Sequence, residues 1–180
     1  MALNTIRAMK ILGIAGYSGS GKTTLIEALI PLLSLHGLVV SVIKRAHHGF
    51  DVDKPGKDSW RHREAGAQEV MLASPERWVL MRELRRDPEE NLGNLVSRLS
   101  PCDLVLVEGF KAAPIAKIEV WRPSSGKPVL HPEIPSVLAV ATDGHCATTL
   151  PILDLNDVEA IARFIVELLP GLPGTVGRGD

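Results

Sequence analysis

The residues best equipped for chemistry lie near the start of the chain. Gly16-Tyr17-Ser18-Gly19-Ser20-Gly21-Lys22-Thr23 fits the spacing G-x-x-x-x-G-K-[ST] without a mismatch. Glycines at these positions let the backbone curl until successive amides point inward, which suits phosphate oxygens. A helix beginning near Thr23 adds the positive end of its dipole at the same place. Lys22 is then expected to reach the β and γ phosphates, Thr23 to offer its hydroxyl to Mg²⁺, and Thr24 to donate to the α phosphate. The chemistry implied is nucleotide binding and the handling of its terminal phosphate.

Such a loop holds magnesium incompletely, so an acid is expected at the end of a neighbouring apolar strand. Leu104-Val105-Leu106-Val107-Glu108-Gly109 meets that requirement. Glu108 would hold the metal through a water or position the attacking nucleophile, and Gly109 lets the backbone pass close to the γ phosphate. Asp103, at the other end of that strand, is the weaker candidate. The stretch at 44–61 is expected to be a switch or substrate loop. In it Lys44 adds positive charge on the phosphate edge, while Asp53, Lys57, Asp58 and Arg61 are either a solvated face or a contact to a phosphorylated ligand. His47 and His48 have no matching His or Cys cluster and read as a surface pair. The guanine-reading pattern Asn/Thr-Lys-x-Asp is absent. Asp143, in Ala141-Thr142-Asp143-Gly144, either accepts from guanine N1 and N2 or belongs to a simple turn.

Positioning these residues requires strands that end at one edge. Lys10 to Ala15 reads as a short buried strand, and Thr24 to Leu35 as a helix with Leu25, Ile26, Leu29, Leu32 and Leu33 on its apolar side. Leu38 to Ile43 follows as a β-branched run. Strand, glycine loop, helix and strand form a βαβ opening, so parallel strands and a right-handed crossover are expected. Asp58 to Ala65 predicts a short helix, and Gln68 to Ala73 with Arg77 to Met81 a hairpin. Asp87, Pro88, Glu89 and Glu90 predict the start of a helix running to about Leu99. Leu104 to Val107, Ala116 to Trp121, Ser136 to Ala141 and Pro151 to Leu155 read as further strands, and Asp157 to Leu169 as a last amphipathic helix. The fold class is therefore α/β, a P-loop NTPase fold with a mostly parallel sheet flanked by helices and a β insertion at about 68–81.

At 180 residues one main domain at 9–169 is expected, after an extension at 1–8 and before a Gly- and Pro-rich flexible tail at 170–180. Hydrophobic residues make up 45% and aromatics only 4%, which suits a Val, Ile and Leu sheet under helices. A formal net charge of -1 gives no basic excess for general nucleic-acid binding. Two cysteines are too few for a disulfide framework and no run is long enough to span a membrane, so a cytoplasmic setting is expected.

The phosphate loop, Ile43-Lys44 with His47-His48, Asp53-x-x-Gly-Lys-Asp58-Ser59, Ala65-Gly66-Ala67 and Val107-Glu108-Gly109-Phe110-Lys111 together resemble the MobB family, adapter proteins of molybdopterin-guanine dinucleotide biosynthesis. The loop itself is generic; the His-His, Gly-Lys-Asp-Ser and Glu-Gly-Phe-Lys elements carry the resemblance, which runs from about Met9 to Leu169. It implies GTP binding with weak, magnesium-dependent hydrolysis, a homodimer, and partnership with molybdenum cofactor guanylyltransferase, the enzyme that joins GMP to molybdopterin. Gln68 to Met81 and Ala116 to Trp121 would contribute to the dimer.

Two other functions fit the same cradle. A small-molecule kinase would use Arg82, Arg85 and Arg86 as lid arginines, although solvated charge ahead of the helix starting at Asp87 is the favoured account of them. A catalytically silent scaffold would bind nucleotide only to bind a partner.

Overall fold

The computed structural model describes residues 8–46 and 49–175. It divides into two compact units, one formed by the chain up to Arg45 together with that from Leu92 onward, the other by Ala46–Asn91.

The first unit is built on a sheet. β1 (Met9–Ala15) leads through the glycine loop into α1 (Lys22–Leu35), and β2 (Val40–Lys44) follows. The second unit holds α2 (Asp58–Glu64) and an antiparallel hairpin of β3 (Glu69–Ala73) and β4 (Trp78–Arg82). Back in the first unit come α3 (Leu92–Val96), β5 (Leu104–Glu108), β6 (Lys117–Trp121), β7 (Val137–Thr142), β8 (Ile152–Asp154), α4 (Val158–Leu168) and β9 (Gly174–Thr175). The sheet order is β2-β5-β1-β6-β7-β8, parallel throughout, with β9 antiparallel to β1.

Strand alternation builds both faces. Leu12, Ile14, Leu104 and Leu106 point to one side and join Leu25, Ile26, Leu29 and Leu33 of α1 and Ile161, Ala162 and Ile165 of α4. Met9, Val105 and Val107 point to the other and pack with Leu92 and Val96 of α3. Parallel strands covered on both faces read as continuous apolar runs, which is why β5 is legible from composition alone.

Three expectations are corrected. The helix expected from Asp87 to Leu99 shrinks to Leu92–Val96. Asp87 is not a cap: its carboxylate takes Arg82 Nη2 at 3.0 Å and its amide donates to Leu84 O at 2.6 Å, closing a turn in which Arg85 has φ 49. Part of the segment expected as a tail from Pro170 packs on the sheet as far as Thr175. β6 begins opposite Gly13, which leaves the edge of Met9 and Lys10 open on that side, and Gly174–Thr175 pairs there while Leu172 buries in the core. Finally, Ala116 to Trp121 cannot supply a dimer edge. Its strand is paired on one side with β1 and on the other with β7, and Lys117 to Val120 are buried within the single chain.

Within the second unit, Arg63 ties three segments together. Its guanidinium reaches Asp51 at 2.9 Å, Asp53 at 2.9 Å and Glu83 at 2.7 Å. The residues at 1–7, His47 and His48, and the tail beyond Thr175 lie outside the described residues.

Candidate nucleotide-binding site

The register of the sheet assembles the site. Lys44 at the end of β2 is the direct partner of Glu108 at the end of β5, and Ile14 flanks Glu108 on the other side, two residues before Gly16. The glycine loop therefore leaves the sheet beside the acid that the strand pattern nominated.

Left-handed backbone shapes the loop at Gly16, where φ is +147, and at Gly21, where φ is +97. A Cβ on Gly16 would lie 2.5 Å from Val120 O and 2.6 Å from Ser20 Oγ, so only glycine fits between the loop and β6. Gly21 is the residue before α1. No side chain caps that helix and no acid occupies its first turn. The first-turn amides, whose first helical bond is Leu25 N to Gly21 O at 2.9 Å, are thus donors in search of an acceptor. Ser20 Oγ is buried without a hydrogen-bond partner. Unpaired donors at a helix start suit an anion, as the macrodipole does.

Lys22, Lys44, Lys111 and the Glu108 carboxylate stand around this cradle. Lys22 Nζ donates to Tyr17 O at 2.7 Å. Thr23 Oγ1 donates to Glu108 Oε1 at 3.0 Å and Oε2 at 3.2 Å. Lys44 Nζ lies 3.3 Å from Thr23 Oγ1 and 3.4 Å from Glu108 Oε2. Lys111 Nζ sits 4.6 Å from the centroid of the Tyr17 ring. Burial pushes the Lys22 ammonium below its usual range; Glu108 opposes that, and the ammoniums of Lys111 and Lys44 add to it. The adjacent hydroxyl and carboxylate oxygens of Thr23 and Glu108 are the hard donors that Mg²⁺ takes when phosphate oxygens and waters complete its shell. No group of three or more His, Cys, Asp or Glu side chains capable of holding a metal occurs among the described residues.

Gly16 to Thr24, Lys44 and Glu108 thus come together. Asp103 is at the far end of β5, where it accepts from Val39 N at 2.8 Å. Asp53 belongs to the second unit, and its carboxylate takes Ser59 Oγ at 2.5 Å and Arg63 Nε at 2.9 Å, a structural task. Arg82 and Arg85 are also engaged inside that unit. Arg82 pairs with Glu69 and Asp87, while Arg85 donates to Ala67 O at 3.1 Å.

Asp143 stands at the end of β7, where Arg122 clasps it; the same guanidinium donates from Nε to Ser20 O at 3.0 Å. Arg122 escaped the sequence reading although one signal was there: it is the cation immediately after β6, on the edge where the phosphate loop leaves β1. Lys117 and Glu119, hidden in a strand read as core, were also missed. Lys117 Nζ donates to Ile115 O at 2.9 Å and Ser136 Oγ at 2.8 Å, and Glu119 accepts from Leu130 N at 2.6 Å and His131 N at 3.0 Å. Both brace loops beside the site.

A parallel sheet flanked by helices, with a glycine loop between its central strand and first helix, defines the P-loop NTPase fold. Residues 11–143 match the MobB family, described as molybdopterin guanine dinucleotide synthesis protein B. The molybdopterin-guanine dinucleotide biosynthesis adapter protein of Escherichia coli K12 is 46% identical over 160 residues, 87% of this chain and 91% of that protein. The protein of the same description from Haemophilus influenzae is 50% identical over 157 residues, 86% of each chain. A crystal structure of molybdopterin-guanine biosynthesis protein B superposes with a TM-score of 0.70 at 34% identity, over 88% of this chain and 99% of that one. The chain belongs to the MobB family.

Proposed function

We propose that this protein is a GTP-binding adapter of molybdopterin-guanine dinucleotide biosynthesis, with weak magnesium-dependent GTPase activity. The observation that carries the reading is the meeting of Thr23 and Glu108 beside an uncapped helix start, in a chain whose relatives bear that adapter description. The amides of Gly19 to Thr24 and the Lys22 ammonium bind and orient the phosphates. Thr23 and Glu108 hold magnesium, which would neutralise charge on the phosphate oxygens. Glu108 also orients the attacking water, and Lys44, 3.4 Å from its Oε2, holds the carboxylate in place. Slow hydrolysis fits the lack of an obvious arginine finger or water-positioning glutamine among the described residues. Asp143 reads the guanine N1 and N2 while Arg122 holds it against the loop.

The partner proposed is molybdenum cofactor guanylyltransferase, and the setting is cytoplasmic. Both cysteines are free and buried, and no helix among the described residues is long and apolar enough to cross a membrane. A homodimer built on the β3–β4 hairpin is part of the same reading. Met71 is 62% and Trp78 64% exposed there, a costly display of apolar surface for a two-stranded sheet in water.

Calorimetric titration with GTP and ATP, with and without Mg²⁺, followed by phosphate release on the same sample, tests the reading. Preferential, magnesium-dependent GTP binding with slow release is the expected result. A preference for ATP, with rapid consumption only when a small-molecule acceptor is added, would replace the adapter with a kinase.

A further inference from the structure

Lys111, the last residue of the Glu-Gly-Phe-Lys element, has no part in the function assigned so far. The chain leaving β5 brings it back over the phosphate loop by an unusual route. Gly109 and Phe110 are both left-handed, with φ +97 and +48, and Phe110 is one of only two non-glycine residues with positive φ among those described. Backbone strain of this kind persists only where its surroundings enforce it. Here Arg45 does so. A Cβ on Gly109 would lie 2.9 Å from Arg45 Cβ, the Arg45 guanidinium stands 5.2 Å from the Phe110 ring centroid, and Arg45 N donates to Glu108 O at 2.9 Å. Further along, Ala113 N donates to Phe110 O at 2.9 Å, so the turn is closed on both sides.

The ammonium delivered by this turn is half-buried and rests 4.6 Å from the Tyr17 ring centroid. Among the described residues no carboxylate pairs with it, whereas Lys44 has Glu108. A cation over a tyrosine ring is held more weakly than one hydrogen-bonded to a phosphate oxygen. Lys111 is also near enough to Lys22 for its charge to be felt there. At Lys22 the ammoniums of Lys111 and Lys44 are opposed by one carboxylate, Glu108, an excess of positive charge that a longer phosphate chain balances better than a shorter one. Lys127 lies over the same ring at 5.0 Å, but it is exposed, and its backbone carbonyl is fixed by Trp121 Nε1 at 2.8 Å.

We propose that Lys111 reads the terminal phosphate, leaving the Tyr17 ring for the γ-phosphoryl oxygens, and is the side chain through which the cradle prefers a nucleoside triphosphate to a diphosphate. This rests on the nucleotide reading of the same loop. Tyr17 is the single tyrosine of the chain, so 3-fluorotyrosine labelling of the full-length protein gives one ¹⁹F resonance beside the proposed sensor. The probes are GDP and a non-hydrolysable GTP analogue with Mg²⁺, applied to wild type, Lys111→Gln and Lys127→Gln, with affinities from calorimetry.

The wild type should bind the analogue tighter than GDP by roughly tenfold or more, as one added charge-assisted contact supplies. Its ¹⁹F resonance should shift differently for the two ligands. Lys111→Gln should lose about tenfold more affinity for the analogue than for GDP, so that the triphosphate preference narrows, and the two ligands' shifts should converge; Lys127→Gln should keep the wild-type ratio. A Lys111→Gln protein that keeps the wild-type affinity ratio overturns the proposal while leaving nucleotide binding intact. So does equal loss of the ratio in Lys127→Gln, which would assign the effect to diffuse charge, or a wild type with no triphosphate preference. Failure of the wild type to bind either nucleotide overturns the underlying reading together with it.

Discussion

A methyl group on Gly16 would meet Val120 O at 2.5 Å and Ser20 Oγ at 2.6 Å, and the first of these is main chain of a central strand that cannot give way. Gly16→Ala should therefore push the phosphate loop off β6. The expected result is a loss of triphosphate affinity by calorimetry and a destabilisation on the order of 1–3 kcal/mol in a denaturant melt. Lys22 makes a pH prediction. Its ammonium lies below its usual range because burial disfavours the charge, so in the free protein it loses its proton before reaching the ordinary lysine value of 10.5. A bound polyanion favours the charged form and restores the proton. The Lys22 contribution to affinity thus begins to fall as pH rises through its depressed free-protein value, an onset below 10.5. Inorganic triphosphate carries no nucleobase to titrate, and since its own phosphate protons act equally on both proteins, the ratio of wild-type to Lys22→Arg affinity should fall across this range.

Elements place these side chains through register. β2, β5 and β1 end together, so Lys44, Glu108 and the glycine loop converge without any loop having to reach across the sheet. The chain end contributes as well, because Leu172 is 4% exposed within the cluster that α1 and α4 share, and Lys10 Nζ donates to Leu172 O at 2.5 Å. Leu172→Ala should cost about 2–3 kcal/mol in urea unfolding, in the lower part of the range for a buried leucine. An unchanged midpoint would mean that the segment after α4 frays. The short α3 carries a lesson of its own: an Asp-Pro-Glu-Glu start is a good local signal, yet Asp87 is bound to Arg82 instead of to helix amides. Side-chain competition of that kind cannot be read from a window of neighbours.

At the scale of the molecule, the hairpin of the second unit presents Met71, Trp78 and Leu80 to solvent on one face, with Leu72 and Val79 on the other, and among the described residues its two strands pair only with each other. In the dimer reading a second copy covers the face of Met71, Trp78 and Leu80, and Trp78→Glu should shift the sedimenting species from dimer to monomer while leaving nucleotide affinity unchanged. Persistence of the dimer would move the interface elsewhere. The sequence by itself determined the phosphate loop, the strand and helix on either side of it, the acid at the end of the apolar strand and the family, because each is written in a short run whose spacing or hydrophobic period is a local property. Only the tertiary structure decided that Asp53 is bound to Arg63 and Ser59, that Arg122 clasps Asp143 and the loop, that Lys111 lies on Tyr17, and that the tail seals the edge of β1. Those contacts join residues far apart in the chain, and which partner a charged side chain takes is set by strand order and register, which no short stretch of sequence contains.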